Sequence, residues 1–145
     1  MYKTIVLAYD GSASGQHALL DGQEIGQWSH AQIILVAVST PVMTSLTGEV
    51  WVYDAQAENT EAARIRAVLD AGVERLRVAG LEARGHHAVG DAVDEIAKVA
   101  KSSHADLIVV GHKRRRSWTE RWWQGSISKS LIEHAPCSVL IVIWD

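Results

Sequence analysis

Short apolar runs alternate along this chain with stretches of helical period. Thr4 to Ala8 is continuous, largely β-branched and apolar, and it stops at Asp10-Gly11-Ser12, which is the pattern of a buried strand entering a turn. Ala18, Leu19, Gly22 and Ile25 recur at helical spacing and predict a helix ending near Trp28, with Ser12 or Ser14 as its N-cap. Ile33 to Val38 is apolar without alternation, so it is expected to be buried on both faces, as in a parallel sheet covered by helices. From Val42 to about Ala57 no period emerges, and an irregular excursion is expected. Helical order resumes at about Glu58 with the stripe Ala62, Ile65, Leu69, Val73 and Leu76, and Gly80 is placed to end it.

Leu81 to Val89 reads as a third strand, more polar and partly alternating, and therefore as an edge. Asp91, with Asp94 three residues on, caps a helix that turns Val93, Ile96, Ala97 and Ala100 inward. Asp106 to Gly111 is the fourth strand, Gly125-Ser126 introduces a last helix to about Ala135, and Ser138 to Ile143 is the fifth strand. Strands alternating with helices through right-handed crossovers predict an α/β fold, a doubly wound, open, parallel five-stranded sheet with helices on both faces.

Composition adds limits to this picture. With 145 residues, 48% hydrophobic and 21% charged, a single domain spanning residues 1–145 with its own core is expected. The lone Cys137 excludes an internal disulfide, no Cys/His cluster points to zinc, and no apolar run has the length of a membrane span. A reducing cytoplasm is the expected compartment. The net charge of −3 gives no general reason for a polyanion partner, so nucleic acid is not expected. Locally, Lys113, Arg114, Arg115, Arg116 and Arg121 crowd beside Trp118, Trp122 and Trp123. Arginine interleaved with tryptophan also suits single-stranded RNA, a reading that the overall charge opposes.

In open α/β sheets the ligand crevice lies outside the carboxyl ends of the strands, where the strand order reverses. The ends are Ala8 to Gly11, Val38 to Thr40, and Gly111 onward. The helix beginning at Gly125-Ser126 offers free N–H groups to an anion there. No GxxxxGK[ST] loop, GxGxxG turn or GxSxG elbow is present, which removes the usual grounds for a P-loop hydrolase, a dinucleotide oxidoreductase or a serine hydrolase.

Five segments in order, Val6 to Ser12, Gly90-Asp91-Ala92, Ala105 to Gly111, Gly125 to Ser128 and His134 to Leu140, together resemble the universal stress proteins over almost the whole chain. Many members of that family bind ATP through a pattern G-x2-G-x9-G-[ST], and others have lost it. Gly111 matches the first glycine and Gly125-Ser126 the last pair, whereas Arg114 replaces the middle glycine and the loop is one residue longer. The resemblance implies that Ala8 and Asp10 line the adenosine side, that Val38 meets adenine through its backbone, and that Gly111, His112, Lys113 and Arg114 form a phosphate loop. The backbone of Gly125, Ser126 and Ile127 and the Ser126 hydroxyl complete it. The implied ligand is ATP, or ADP or AMP, with Mg²⁺ bridging its oxygens.

Plainer readings stand beside these. Asp10 can serve only the Asp-Gly turn, Gly125-Ser126 only the start of a helix, and the basic run only a solvated face. Trp118 and Trp122, four apart, share a helical face and suit packing better than base stacking. His86 and His87, neighbours on a strand, point to opposite faces and cannot share a metal ion. No nucleophile–base couple can be assigned, so efficient catalysis is not expected and slow ATP hydrolysis is the upper bound. The resemblance also implies a homodimer through the C-terminal strand, and the alternative to a nucleotide binder is a nucleotide-independent dimeric interaction protein whose site is degenerate.

Overall fold

A computed structural model describes residues 1–113 and 127–144. Eleven elements follow in order: β1 (Thr4–Ala8), α1 (Ala13–Ser29), β2 (Gln32–Ser39), β3 (Met43–Ser45), β4 (Trp51–Tyr53), α2 (Ala55–Val78), β5 (Ala83–Val89), α3 (Ala92–Ser102), β6 (Leu107–Lys113), α4 (Ile127–His134) and β7 (Ser138–Trp144). Five strands form one sheet in the order β5-β2-β1-β6-β7, every pairing parallel. The order runs one way from β1 through β2 to β5 and the other way through β6 to β7. The topological switch therefore falls between β1 and β6.

Strand alternation sorts the core into two layers. Ile5, Leu7, Ile33, Leu35, Leu107 and Val109 face α1 and α2 with Leu19, Ile65, Leu69 and Leu76. Val6, Ile34, Val36, Ile108 and Val110 face α3 and α4 with Ile96, Val99 and Leu131. The central strands β1, β2 and β6 contribute to both layers, which is why their sequences do not alternate. β5 lies at an edge, as its polar alternation predicted. Cys137 packs beside the α3–α4 layer, and burial, followed by the Asp106 charge, pushes its thiol pKa up. That environment favours the protonated, unreactive form.

Local chemistry sets the helix ends. Ser12 Oγ accepts from Gly15 N at 3.2 Å, and Asp91 Oδ1 accepts from Asp94 N at 3.0 Å. At the end of α2, Gly80 takes φ +87°, its N–H donates to Arg77 O at 2.9 Å, and Leu81 N donates to Leu76 O at 3.0 Å, a Schellman closure.

Residues 42–57 are more ordered than their composition implied. β3 and β4 form a separate antiparallel hairpin with Met43 opposite Tyr53, Thr44 opposite Val52 and Ser45 opposite Trp51. Strands this short show no readable period. Helix α2 begins before Glu58, because Asp54 acts as its N-cap and accepts from Ala57 N at 2.9 Å. The apolar stripe starts only deeper in the helix, so periodicity alone placed the start late. Among the described residues no helix is long and apolar enough to cross a membrane, and no three His, Cys, Asp or Glu side chains gather as a metal site.

Candidate functional site at the carboxyl end of the sheet

A cleft of about 240 Å³ opens at the switch point. Ala8 and Asp10 from the end of β1, Val36 and Val38 from β2, and Val110 and Gly111 from β6 line it, together with Ala92 and Ile96 of α3 and Ser128 of α4. Four residues singled out from the sequence, Ala8, Asp10, Val38 and Gly111, thus meet in one cavity.

Along β2 the bonding direction alternates: Val36 O accepts from Tyr9 N at 2.8 Å on the β1 side, and Ser39 O accepts from Gly90 N at 2.9 Å on the β5 side. Val38 N–H and C=O accordingly point to the β1 side, beyond the end of that strand. An adjacent donor and acceptor therefore face the cleft.

Asp10 does what the plainer reading asked of it. Its Oδ1 accepts from Ser12 N at 2.9 Å, an Asx turn that shapes the loop into α1. The residue is nonetheless exposed at the rim, and Oδ2 has no partner among the described residues. One carboxylate can hold the turn and still accept from a ligand.

Gly111 has a structural reason independent of any phosphate. A Cβ there would run into the carbonyl of Ser14, so the glycine lets the first turn of α1 close onto the end of β6. The backbone approach that frames the cleft depends on it.

Of the residues expected to form a phosphate loop beyond Gly111, two are described within β6 and one at the start of α4. His112 and Lys113 end β6, opposite Ile143 and Trp144. Strand alternation turns Lys113 away from the α3–α4 face, and its ammonium lies 5.1 Å from the centre of the Trp144 ring. His17 of α1 stacks on the same tryptophan at 5.1 Å. Arg114, Gly125, Ser126, Trp118, Trp122 and Trp123 lie outside the described residues. Ile127 begins α4.

The site also contains a residue the sequence reading missed. Ser128, in the first turn of α4, is only 7% exposed, lines the cleft and has no hydrogen-bond partner among the described residues. Its helical spacing to Leu131, which is fully buried, was the available signal: residues three apart share a face, so Ser128 had to point inward.

On the opposite face of the sheet, Ser39 Oγ and His87 Nε2 lie 2.8 Å apart, with donor and acceptor set by the tautomer. This couple joins the neighbouring strands β2 and β5, which are far apart in the sequence. Arg64 occupies both oxygens of Glu61, at 2.6 and 3.0 Å. These bonds, with the His87 charge as the smallest contribution, hold the Glu61 carboxyl below its ordinary range. Glu61 is thus committed to Arg64, and among the described residues no orienting acid completes a triad with His87.

A family model described as the universal stress protein family matches residues 1–142. A universal stress protein of Thermus aquaticus, encoded in the 3′ region of a sulfhydrylase gene, is 33% identical over 145 residues, covering 98% of this chain and 99% of the relative. A crystal structure of a universal stress protein family member from Burkholderia pseudomallei superposes with a TM-score of 0.78 at 26% identity, covering 97% of this chain and 96% of the other. A universal stress protein in complex with cAMP superposes with a TM-score of 0.73 at 25% identity, covering 98% and 97%. Sequence and fold agree across nearly the full length, and this chain belongs to the universal stress protein family.

Proposed function

We propose that this protein is a cytoplasmic stress-response regulatory module that binds an adenine nucleotide at the carboxyl end of its sheet and acts through binding, not efficient catalysis. The observation that supports this is the cleft at the switch point, where the Val38 backbone presents a donor and an acceptor side by side. That pair suits the edge of adenine, which offers an acceptor next to an amino donor. Asp10 accepts from ribose, and the cavity, somewhat below the roughly 300–1,000 Å³ of drug-sized pockets, suits a nucleoside. The amino end of α4, with Ser128 behind it, favours the negative charge of a phosphate tail.

In this reading ATP, ADP or AMP is the ligand, Mg²⁺ bridges the phosphate oxygens, and Gly111, His112, Arg114, Gly125, Ser126 and Ile127 surround them, while Lys113 is held over Trp144 on the other face of the sheet. The relative in complex with cAMP supports an adenylate as the ligand class. Calorimetric titration is expected to show saturable binding of ATP or AMP, weakened at least about tenfold, or 1.4 kcal/mol, in Asp10→Ala. No heat at millimolar ATP or AMP with Mg²⁺ overturns it.

A second reading rests on β7. Its sequence, Ser138-Val-Leu-Ile-Val-Ile-Trp144, is apolar, its positions are half-buried or exposed, and its outer backbone row has no strand partner within the described chain. Such an edge suits antiparallel pairing with a second copy across a two-fold axis. A homodimer through this strand is compatible with nucleotide binding. Association unaffected by ATP, with no nucleotide bound, instead favours a nucleotide-independent interaction protein.

A further inference from the structure

Three helices bring their amino ends to the cleft, and the chemistry of those ends differs. Ser12 and Gly15 at the start of α1, Ala92 of α3 and Ser128 of α4 all line it. The end of α1 is occupied, because Ser12 Oγ accepts from Gly15 N at 3.2 Å and Asp10 Oδ1 accepts from Ser12 N at 2.9 Å. At α3, Asp91 is the cap and Asp94 and Glu95 lie in the first turn, so carboxylates already fill the positive end of its dipole. The first turn of α4 has no acidic residue. Of the three, α4 is the end left for an anion in the cleft.

Ser128 stands at that end, 7% exposed, and its hydroxyl has no hydrogen-bond partner among the described residues. Serines late in the other helices satisfy theirs on the preceding turn: Ser29 Oγ donates to Ile25 O at 2.6 Å and Ser102 Oγ to Val99 O at 3.2 Å. Ser128 is the second residue of α4, so no earlier turn of the helix stands behind it. A buried hydroxyl without a partner costs the folded chain stability, and a ligand acceptor removes that cost. Strand spacing gives the reach. Val38 ends β2, and Leu131 of α4 packs in the same layer as Val110 of β6. β1 lies between β2 and β6, which separates them by two strand spacings, roughly 9.5 Å. That distance suits the span from the edge of adenine, across its ribose, to the phosphate on the 5′ oxygen.

We infer that the Ser128 hydroxyl donates to the 5′ phosphate of the bound adenine nucleotide and makes that first phosphate the group the site selects. This role rests on the nucleotide reading above and goes beyond it: Ser128 tells a nucleotide from a nucleoside. A hydroxyl donating to an ionised phosphate oxygen forms a charge-assisted bond, whereas adenosine offers only a neutral hydroxyl at the same place. Any further phosphates lie beyond Ser128, so AMP is the smallest ligand that satisfies it.

The test is calorimetric titration of AMP and of adenosine into the full chain. Wild type is expected to bind AMP at least about tenfold more tightly than adenosine, and Ser128→Ala to lose about tenfold in AMP affinity while adenosine changes by less than about twofold. Without ligand, Ser128→Ala should melt no lower than wild type, since it deletes a hydroxyl that bonds to nothing and alanine suits a helix. A lower melting temperature in the unliganded variant overturns the proposal in favour of a structural hydrogen bond. Equal losses for AMP and adenosine overturn it in favour of a residue that only shapes the cleft. AMP bound no more tightly than adenosine by wild type, or equally by wild type and variant, overturns it alone and leaves the nucleotide reading standing. Wild type that binds neither AMP nor adenosine ends both.

Discussion

β5 and β7 each end the sheet with one row of backbone groups unpaired by any strand of the described chain, but they are made differently. β5 carries Arg84, Gly85, His86 and His87, and Arg77 Nε donates to the Ala83 carbonyl at 3.2 Å, covering part of that edge. β7 is apolar from Val139 to Ile143, and Ile143 is 54% exposed. Polar side chains and a covering arginine blunt an edge, whereas an uncovered apolar one is a template for another strand. Position at the rim of a sheet therefore does not by itself make an association surface, and side-chain chemistry decides which rim is available.

The largest effect expected from this contrast is on assembly. Ile143→Lys should weaken self-association by two orders of magnitude or more in analytical ultracentrifugation, about 2.7 kcal/mol, while Val89→Lys on the opposite rim leaves it unchanged. Equal responses at the two edges would remove the distinction.

Two glycines sharpen it next. Gly111→Ala, whose new methyl meets the Ser14 carbonyl, should cost about 1–3 kcal/mol in urea denaturation. Gly85→Ala on β5, where the methyl lies 3.4 Å from Leu69 Cβ, should stay within about 0.5 kcal/mol of wild type. A smaller loss at Gly111 than at Gly85 would show that the β6 end is not the tightly closed one.

Asp91→Ala removes the cap of the helix that follows β5 and should cost about 1 kcal/mol, read as a lower melting temperature. On the β7 side, Lys113→Met removes the charge over Trp144 and should cost roughly 0.5 kcal/mol; no change there would make the contact incidental. The smallest effect is pH-dependent. The Ala57 amide, and after it the Thr44 hydroxyl, hold Asp54 below its ordinary pKa. Its contribution is present above the unfolded-state value of about 3.9 and is lost as pH falls through the lower folded value. Asp54→Asn should flatten the stability profile in that acid range, and an unchanged slope would remove the assignment.

Much of this fold was legible from periodicity. Continuous apolar runs at Thr4–Ala8 and Ile33–Val38 marked central strands because burial on both faces removes alternation, and the polar alternation of β5 marked an edge. The cap at Asp91 and the stop at Gly80 were legible because one side chain or one glycine carries each, and the first helix's cap was narrowed to Ser12 or Ser14, of which the structure uses Ser12. The hairpin and the early start of α2 were not, since three-residue strands show no period and a single aspartate set the helix start ahead of its apolar stripe.

The amino-acid order alone determined the five strands of the main sheet and the helices between them, most of the chain's turns, and that a cleft belongs beside Ala8, Val38 and Gly111. Each of those properties is local, written in spacing of a few residues. Only the folded topology decided that Val38 points its N–H and C=O into the cleft, that Ser128 stands behind it, that Lys113 lies over Trp144 and that Ser39 meets His87. Those are contacts between segments far apart in the chain, and they exist only once strand order and register have placed the segments side by side.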